Sequence, residues 1–154
     1  MEMHSYVTGL TDGEGCFSVS FSKRKKMVLG VEVRPSFSVS QHKRNRELIL
    51  SLQKFFGCGG VRFSRADQNY KYEVRSLSDI LAKIIPHFDT WPLKTSKVND
   101  YQAFRRICLL MKQNRHVQPA GLRQIIHLAS SMNAAGKRKY SPQDLLRMAN
   151  KMKV

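Results

Sequence analysis

The clearest order in this chain is an alternation with a period of two. Phe17, Val19 and Phe21 alternate with Ser18, Ser20 and Ser22. Beyond the basic turn Lys23-Arg24-Lys25-Lys26, one face resumes with Leu29, Val31, Val33, Phe37 and Val39, and the other carries Glu32, Arg34, Ser36, Ser38 and Ser40. Successive side chains of a strand point to opposite faces, so the pattern predicts a long hairpin, apolar on one side and polar on the other. A second hairpin follows: Val61, Phe63, Tyr70, Tyr72 and Val74 stand opposite Arg62, Ser64, Lys71, Glu73 and Arg75.

Helical spacing fills the rest. A short apolar helix ends at Asp12-Gly13-Glu14-Gly15. Another runs from about Asn45 to Phe56 on Leu48, Leu52, Phe55 and Phe56, and Gly57-Cys58-Gly59-Gly60 stops it. A third starts at Ser78 as N-cap, carries Ile80, Leu81, Ile84 and Ile85, and meets Pro86. Beyond about residue 96 the chain reads as helices throughout. One holds Tyr101, Phe104, Cys108 and Met111 on one face, and one after Pro119 holds Leu122, Ile125, Ile126, Ala129 and Met132. The last opens on Ser141-Pro142 and carries Leu145, Leu146, Ala149 and Met152, with Lys137-Arg138-Lys139 before it. The order α-ββ-α-ββ-α predicts an α+β fold, with one antiparallel sheet covered by helices on its apolar face. A single domain is expected over 1–154, with a core of about 5–112 and a helical extension of about 113–154. No internal repeat interrupts this order.

Charge changes the picture. Lys and Arg number 27 against 11 Asp and Glu, a formal net charge of +16. Such a field on a small domain points to nucleic acid. The polar sheet face would present Arg34, Arg62, Lys71 and Arg75, with Lys23 to Lys26 at its edge, and a curved sheet of that kind fits the major groove of DNA. No stretch approaches a membrane-spanning length and the N-terminus lacks the layout of a secretory signal, so a membrane partner is not expected. Cys16, Cys58 and Cys108 form no CxxC pair and read as free thiols in a reducing compartment. The histidines show no metal-ligand spacing and read as surface or packing residues.

Candidate chemistry gathers at the end of the first helix. Asp12 and Glu14 face the negative end of the helix dipole, an unfavourable place for carboxylates unless a cation offsets it. Glycine there lets the chain leave through a left-handed turn. Gly9 and Gly13, four apart, let a second backbone approach. A tightly packed helix pair with converging acids would bind a hard divalent cation; an ordinary solvated turn has the same composition. Two further patches stand out: Gln41-His42-Lys43-Arg44-Asn45-Arg46 after the second strand, and Trp91-Pro92-Leu93-Lys94-Thr95-Ser96-Lys97 before a helix.

Val7-Thr8-Gly9-Leu10-Thr11-Asp12-Gly13-Glu14-Gly15 resembles the nine-residue motif of the LAGLIDADG homing endonucleases. The FSVSF and SFSVSQ strands, the LQKFFGCGGV turn and the IIPHFDTWPLKTSKVNDYQAF stretch resemble the family's single-motif members, over about residues 5 to 135. The resemblance implies a saddle-shaped sheet with helices on one face and the αββαββα order, plus C-terminal helices. Glu14 would bind the catalytic divalent metal, with the Gly13 carbonyl as a further ligand and Asp12 as a structural acid at the helix end. Glutamate here replaces the family's aspartate. Gln41 would order water beside the scissile phosphates, and either Lys94 or Lys97 would be the basic-pocket lysine. Gly9 and Gly13 would lie in a homodimer interface. The polar face, Ser18, Ser20, Ser22, Lys23, Arg24, Lys25, Lys26, Glu32, Arg34, Ser36, Ser38, Ser40, Arg62, Ser64, Lys71, Glu73 and Arg75, would contact DNA.

The implied activity is Mg²⁺-dependent cutting of a long pseudo-palindromic duplex with short 3′ overhangs, promoting intron mobility. Mn²⁺ would substitute, and Ca²⁺ would bind without turnover. The alternatives on the same scaffold are an intron-RNA maturase and a DNA-binding regulator without catalysis. An organelle or a bacterial cytoplasm would be the setting.

Overall fold

In the computed structural model, residues 2–133 and 140–151 are described, the last two without their side chains. The basic linker Lys137-Arg138-Lys139 and Met152 lie outside these residues. Helix α1 (Met3–Glu14) leads directly into strand β1 (Gly15–Lys23), followed by β2 (Val31–His42). A 3-10 turn (Lys43–Asn45) precedes α2 (Arg46–Phe56), then come β3 (Gly60–Ser64) and β4 (Asn69–Val74). The sheet order is β1-β2-β4-β3, with β4 antiparallel to both β2 and β3. A helical run follows: α3 (Leu77–Asp79), a π-turn (Ile80–Ile84) and α4 (Ile85–Thr90). The remaining helices are α5 (Lys97–Lys112), α6 (Pro119–Ser130) and α7 (Pro142–Lys151). The chain divides into two compact units, residues 1–17 with 36–98 and residues 18–35 with 99–154.

In the first unit the core is aromatic. Phe37 is fully buried on β2, and its ring meets those of Phe17, Phe56, Tyr72 and Phe88 at centroid distances of 5.2, 5.9, 6.4 and 5.5 Å. Offset and edge-on pairs of this kind add to the stabilisation from burial alone. Val7 from α1, Ile49 and Leu52 from α2, and Ile80, Ile84 and Ile85 complete it. In the second unit Val19, Phe21, Val31 and Val33 on the hairpin are buried, as are Phe104, Ile107 and Cys108 on α5 and Leu122, Ile125 and Ile126 on α6. Cys108 is buried, and Cys16 and Cys58 are half-buried; all three thiols are free.

The period-two alternation is met: Phe17, Val19, Phe21, Leu29, Val31, Val33, Phe37 and Val39 are all buried. Several expectations are corrected. The helix-to-strand turn is not left-handed, because Gly15 is extended (φ −82°, ψ 165°) and β1 starts at once. Glycine serves there as a close approach: a Cβ would stand 2.6 Å from the Thr11 methyl and 2.9 Å from its carbonyl oxygen. Ser76, not Ser78, caps α3, its Oγ accepting from the Asp79 amide at 3.3 Å.

Pro86 does not end its helix. Proline lacks an N–H and its ring crowds the carbonyl four residues back. The wider π-turn, in which the Ile85 amide reaches the Ile80 carbonyl, accommodates it. On α2 the buried stripe is Ile49, Leu52 and Phe56, with Leu48 and Phe55 half-buried. Phe63 stays 39% exposed because β3 is an edge strand with too little above it; its ring leans on Tyr70 at 4.9 Å. Ser38, expected on the open polar face, is only 8% exposed, crowded in the middle of the sheet.

His87 is a core residue. The Thr8 hydroxyl donates to the Trp91 carbonyl at 2.9 Å and so has a lone pair left for His87 Nε2–H at 3.1 Å. Burial, with a smaller contribution from His4, pushes the His87 pKa down to about 4. A histidine neutral in the fold and protonated in the unfolded chain contributes stability above the unfolded value, near 6.5, that is lost as the pH falls toward the folded one. Urea unfolding should therefore show a loss on the order of 2 kcal/mol between pH 7 and pH 5. A His87→Gln protein should start less stable and lack that increment; an equal pH response from both proteins would place the proton elsewhere.

Candidate metal centre and nucleic-acid interface

Helix α1 has no basic residue in its last turn, so its negative end is served from another element. The Lys97 ammonium, at the start of α5, donates to the carbonyls of Thr11 at 2.9 Å and Gly15 at 2.5 Å. These carbonyls lie on either side of Glu14 in the chain. Asp12 takes the opposite part. It accepts from the backbone amides of Lys94 (2.8 Å) and Thr95 (3.1 Å) and from the Thr95 hydroxyl (2.8 Å). Burial pushes the Asp12 carboxyl up, but those hydrogen bonds and Lys97 outweigh it and hold the group below the usual carboxylate range. Asp12 thus ties the 94–95 loop to the helix end, and buried Leu93 anchors the same loop. Both lysines flagged by sequence reach this corner, by different means: Lys97 through its side chain, Lys94 through its backbone, with its own side chain exposed.

Glu14 is exposed and makes no hydrogen bond or ion pair among the described residues. It is the one acid of the motif left uncommitted. Among the described residues no group of three or more His, Cys, Asp and Glu side chains stands close enough to hold a metal. One carboxylate with an adjacent main-chain carbonyl, Gly13, suits a hard cation only as part of a larger oxygen set. Gly9 and Gly13 are exposed, and a Cβ at either would meet nothing within 4 Å. That face of α1 is open. Gln41 lies at the end of β2, where its Oε1 accepts from Asn45 Nδ2 at 3.0 Å.

The polar face carries two acidic nodes. In the second unit, Glu32 accepts from Ser22 (3.3 Å) and Arg24 (3.1 Å); Ser20, Lys23, Arg24, Lys25, Lys26 and Arg34 are exposed, and Ser18 is half-buried. In the first unit, Glu73 accepts from Ser36 at 2.9 Å and is flanked by Arg75 at 3.1 Å, Lys71 at 3.3 Å and Arg62 at 3.6 Å. Ser40 and Ser64 are half-buried on the same unit. Sequence reasoning placed both acids on the face but missed that each gathers the cations around it. The one legible signal was a lone acid at strand spacing among arginines. It also missed Thr95, whose hydroxyl completes the Asp12 clamp, because a threonine in a loop carries no pattern of its own.

A family model described as LAGLIDADG endonuclease matches residues 7–108. Probable intron-encoded DNA endonuclease 1 of Mycosarcoma maydis is 35% identical over 133 residues, which are 86% of this chain and 47% of the relative. The chain spans about a quarter to a half of the length of this and two similar relatives from Neurospora crassa. Other fungal relatives are named for introns of ND4 and cox1. The crystal structure of the homing endonuclease I-TnaI is 37% identical, with a TM-score of 0.84 and 97% of each chain covered. I-SmaMI bound to uncleaved DNA target in the presence of calcium ions is 32% identical, with a TM-score of 0.83 over 90% of this chain and 47% of that one. The chain belongs to the LAGLIDADG endonuclease family.

Proposed function

We propose that this chain is half of a site-specific, double-strand DNA endonuclease, and that a second copy supplies the other half. The observation that carries the reading is Glu14: an uncommitted carboxylate at the end of a helix whose glycine face is open. Two such helices packed face to face would bring two Glu14 carboxylates and two Gly13 carbonyls to one place, the oxygen-rich environment that a hard divalent cation takes. Mg²⁺ fits that donor set, with Mn²⁺ as a substitute. When bound, such a metal supplies an activated water and charge neutralisation at the scissile phosphate.

The chain's own residues do the rest. Lys97 fixes the helix end so that Glu14 projects at a set angle, and its positive charge lies where negative charge would develop. Asp12 holds the 94–95 loop, keeping the exposed Lys94 beside the same corner. Gln41, with its acceptor oxygen occupied by Asn45, presents a donor to water or to a phosphate oxygen. The basic polar face holds the duplex, and a two-fold pair of such faces would recognise a long, nearly palindromic site. An intron of an organelle is the genetic setting that fits the intron names of the fungal relatives.

Glu14→Gln should abolish cleavage of a selected target while changing its affinity for that duplex by less than about threefold, since the basic polar face that would hold the duplex is unaltered. Retained cutting would remove Glu14 from the centre, and binding that favours structured RNA over every duplex would favour a maturase instead. Gly9→Leu should leave the folded monomer intact, because nothing stands within 4 Å of that position, and should shift the protein from dimer to monomer in sedimentation. A Leu variant that still sediments as a dimer would place the interface elsewhere.

A further inference from the structure

The first unit contains a site that a simple phosphate clamp does not explain. Glu73 sits on the central strand β4, opposite Ser38 of β2 on one side and Gly60 of β3 on the other. Its side chain is 15% exposed and lies among Arg62, Lys71 and Arg75, with Ser36 donating to Oε2. Burial pushes the carboxyl up, but Ser36, Lys71 and Arg75 outweigh it and hold it below the usual range, so it is ionised at neutral pH. The carboxylate offsets one of the three positive charges around it, so the cluster attracts a phosphate less strongly than three free cations would. It also sets an acceptor beside guanidinium donors, an arrangement suited to reading something that offers donors and acceptors side by side.

The strand geometry leaves room for that reader to be reached. Gly60 shares the polar face with Glu73 as its directly opposed residue but has no side chain, and a Cβ there would meet nothing within 4 Å. The result is an open hollow lined by Gly60, Val61, Arg62, Lys71, Glu73 and Arg75. Gly59 beside it has φ +84°, and a Cβ there would stand 2.8 Å from the Glu73 carbonyl oxygen, so the strand can start in this position only with glycine.

In the major groove a C·G pair presents the cytosine N4 donor next to the guanine O6 and N7 acceptors. A carboxylate takes the first and an arginine fork takes the second pair. An adenine offers one donor and one acceptor, leaving half of the fork unmatched. We infer that the Glu73 cluster is a base-reading unit, selecting a C·G pair at one fixed position of each half-site through Glu73 and a flanking arginine. This rests on the DNA-binding reading proposed above and deepens it, since it names the residue and the base pair.

The test is selection of bound duplexes from a randomised DNA library, without divalent metal so that nothing is cut, by the parent, Glu73→Gln and Gly60→Val. The parent should enrich C·G at one position per half-site. Both variants should lose that preference by roughly ten- to a hundredfold while keeping the rest of the profile. Glu73→Gln should also show a dependence of affinity on salt that is no shallower than the parent's. If Glu73→Gln does not fold, Gly60→Val decides, because it fills open space with a residue suited to a strand. A selective parent whose profile is unchanged in the variants would overturn the inference and leave the proposed function standing. So would a uniform loss of affinity with a shallower salt slope. A parent with no sequence preference would overturn both.

Discussion

Helix α1 passes into strand β1 without an intervening residue and with no basic residue in its last turn; the Gly15 amide makes the closing backbone bond, to the Thr11 carbonyl. A helix end left so would carry partial negative charge with two acids beside it. Lys97 offsets this from α5, reaching the Thr11 and Gly15 carbonyls, and the Asp12 carboxylate binds the backbone just before that lysine. The two contacts run in opposite directions: a cation at the start of α5 holds the end of α1, and an anion of α1 holds the loop before α5. With both satisfied, Glu14 is the group that remains. The uncommitted acid is a consequence of how the junction is closed.

The aromatic cluster behind the junction gives it something rigid to close on. Phe17 begins β1 in the core, in contact with Phe37 and Phe88, and the Thr8 hydroxyl joins α1 to Trp91 and His87. Small shifts there would be transmitted, since close-packed interiors yield little. Sites that need carboxylates held within a fraction of an ångström are best built on elements fixed this way.

Much of this was legible in the sequence. The serine–phenylalanine alternation fixes faces without ambiguity, because a slip of one residue would invert every side chain. Glu14 stood out because acids are unusual at a helix C-terminus. What the sequence could not show depended on partners remote along the chain. Lys94 and Lys97 are equivalent as letters; only the fold shows that one uses its side chain and the other its backbone. Pro86 reads as a stop, yet a π-turn absorbs it. Gly15 reads as a left-handed turn residue, yet crowding from Thr11 is what requires glycine. The acidic nodes at Glu32 and Glu73 depend on cross-strand register, which alternation alone leaves open.

The central claim is that one chain carries half of a metal centre, with the other half and the phosphates supplied on assembly. Calorimetric titration of Ca²⁺ into the free protein and into its complex with a selected duplex tests this most directly. The account predicts no measurable heat of site binding in the free chain and saturable binding in the complex. Tight, stoichiometric Ca²⁺ binding by the free protein as a monomer would contradict it.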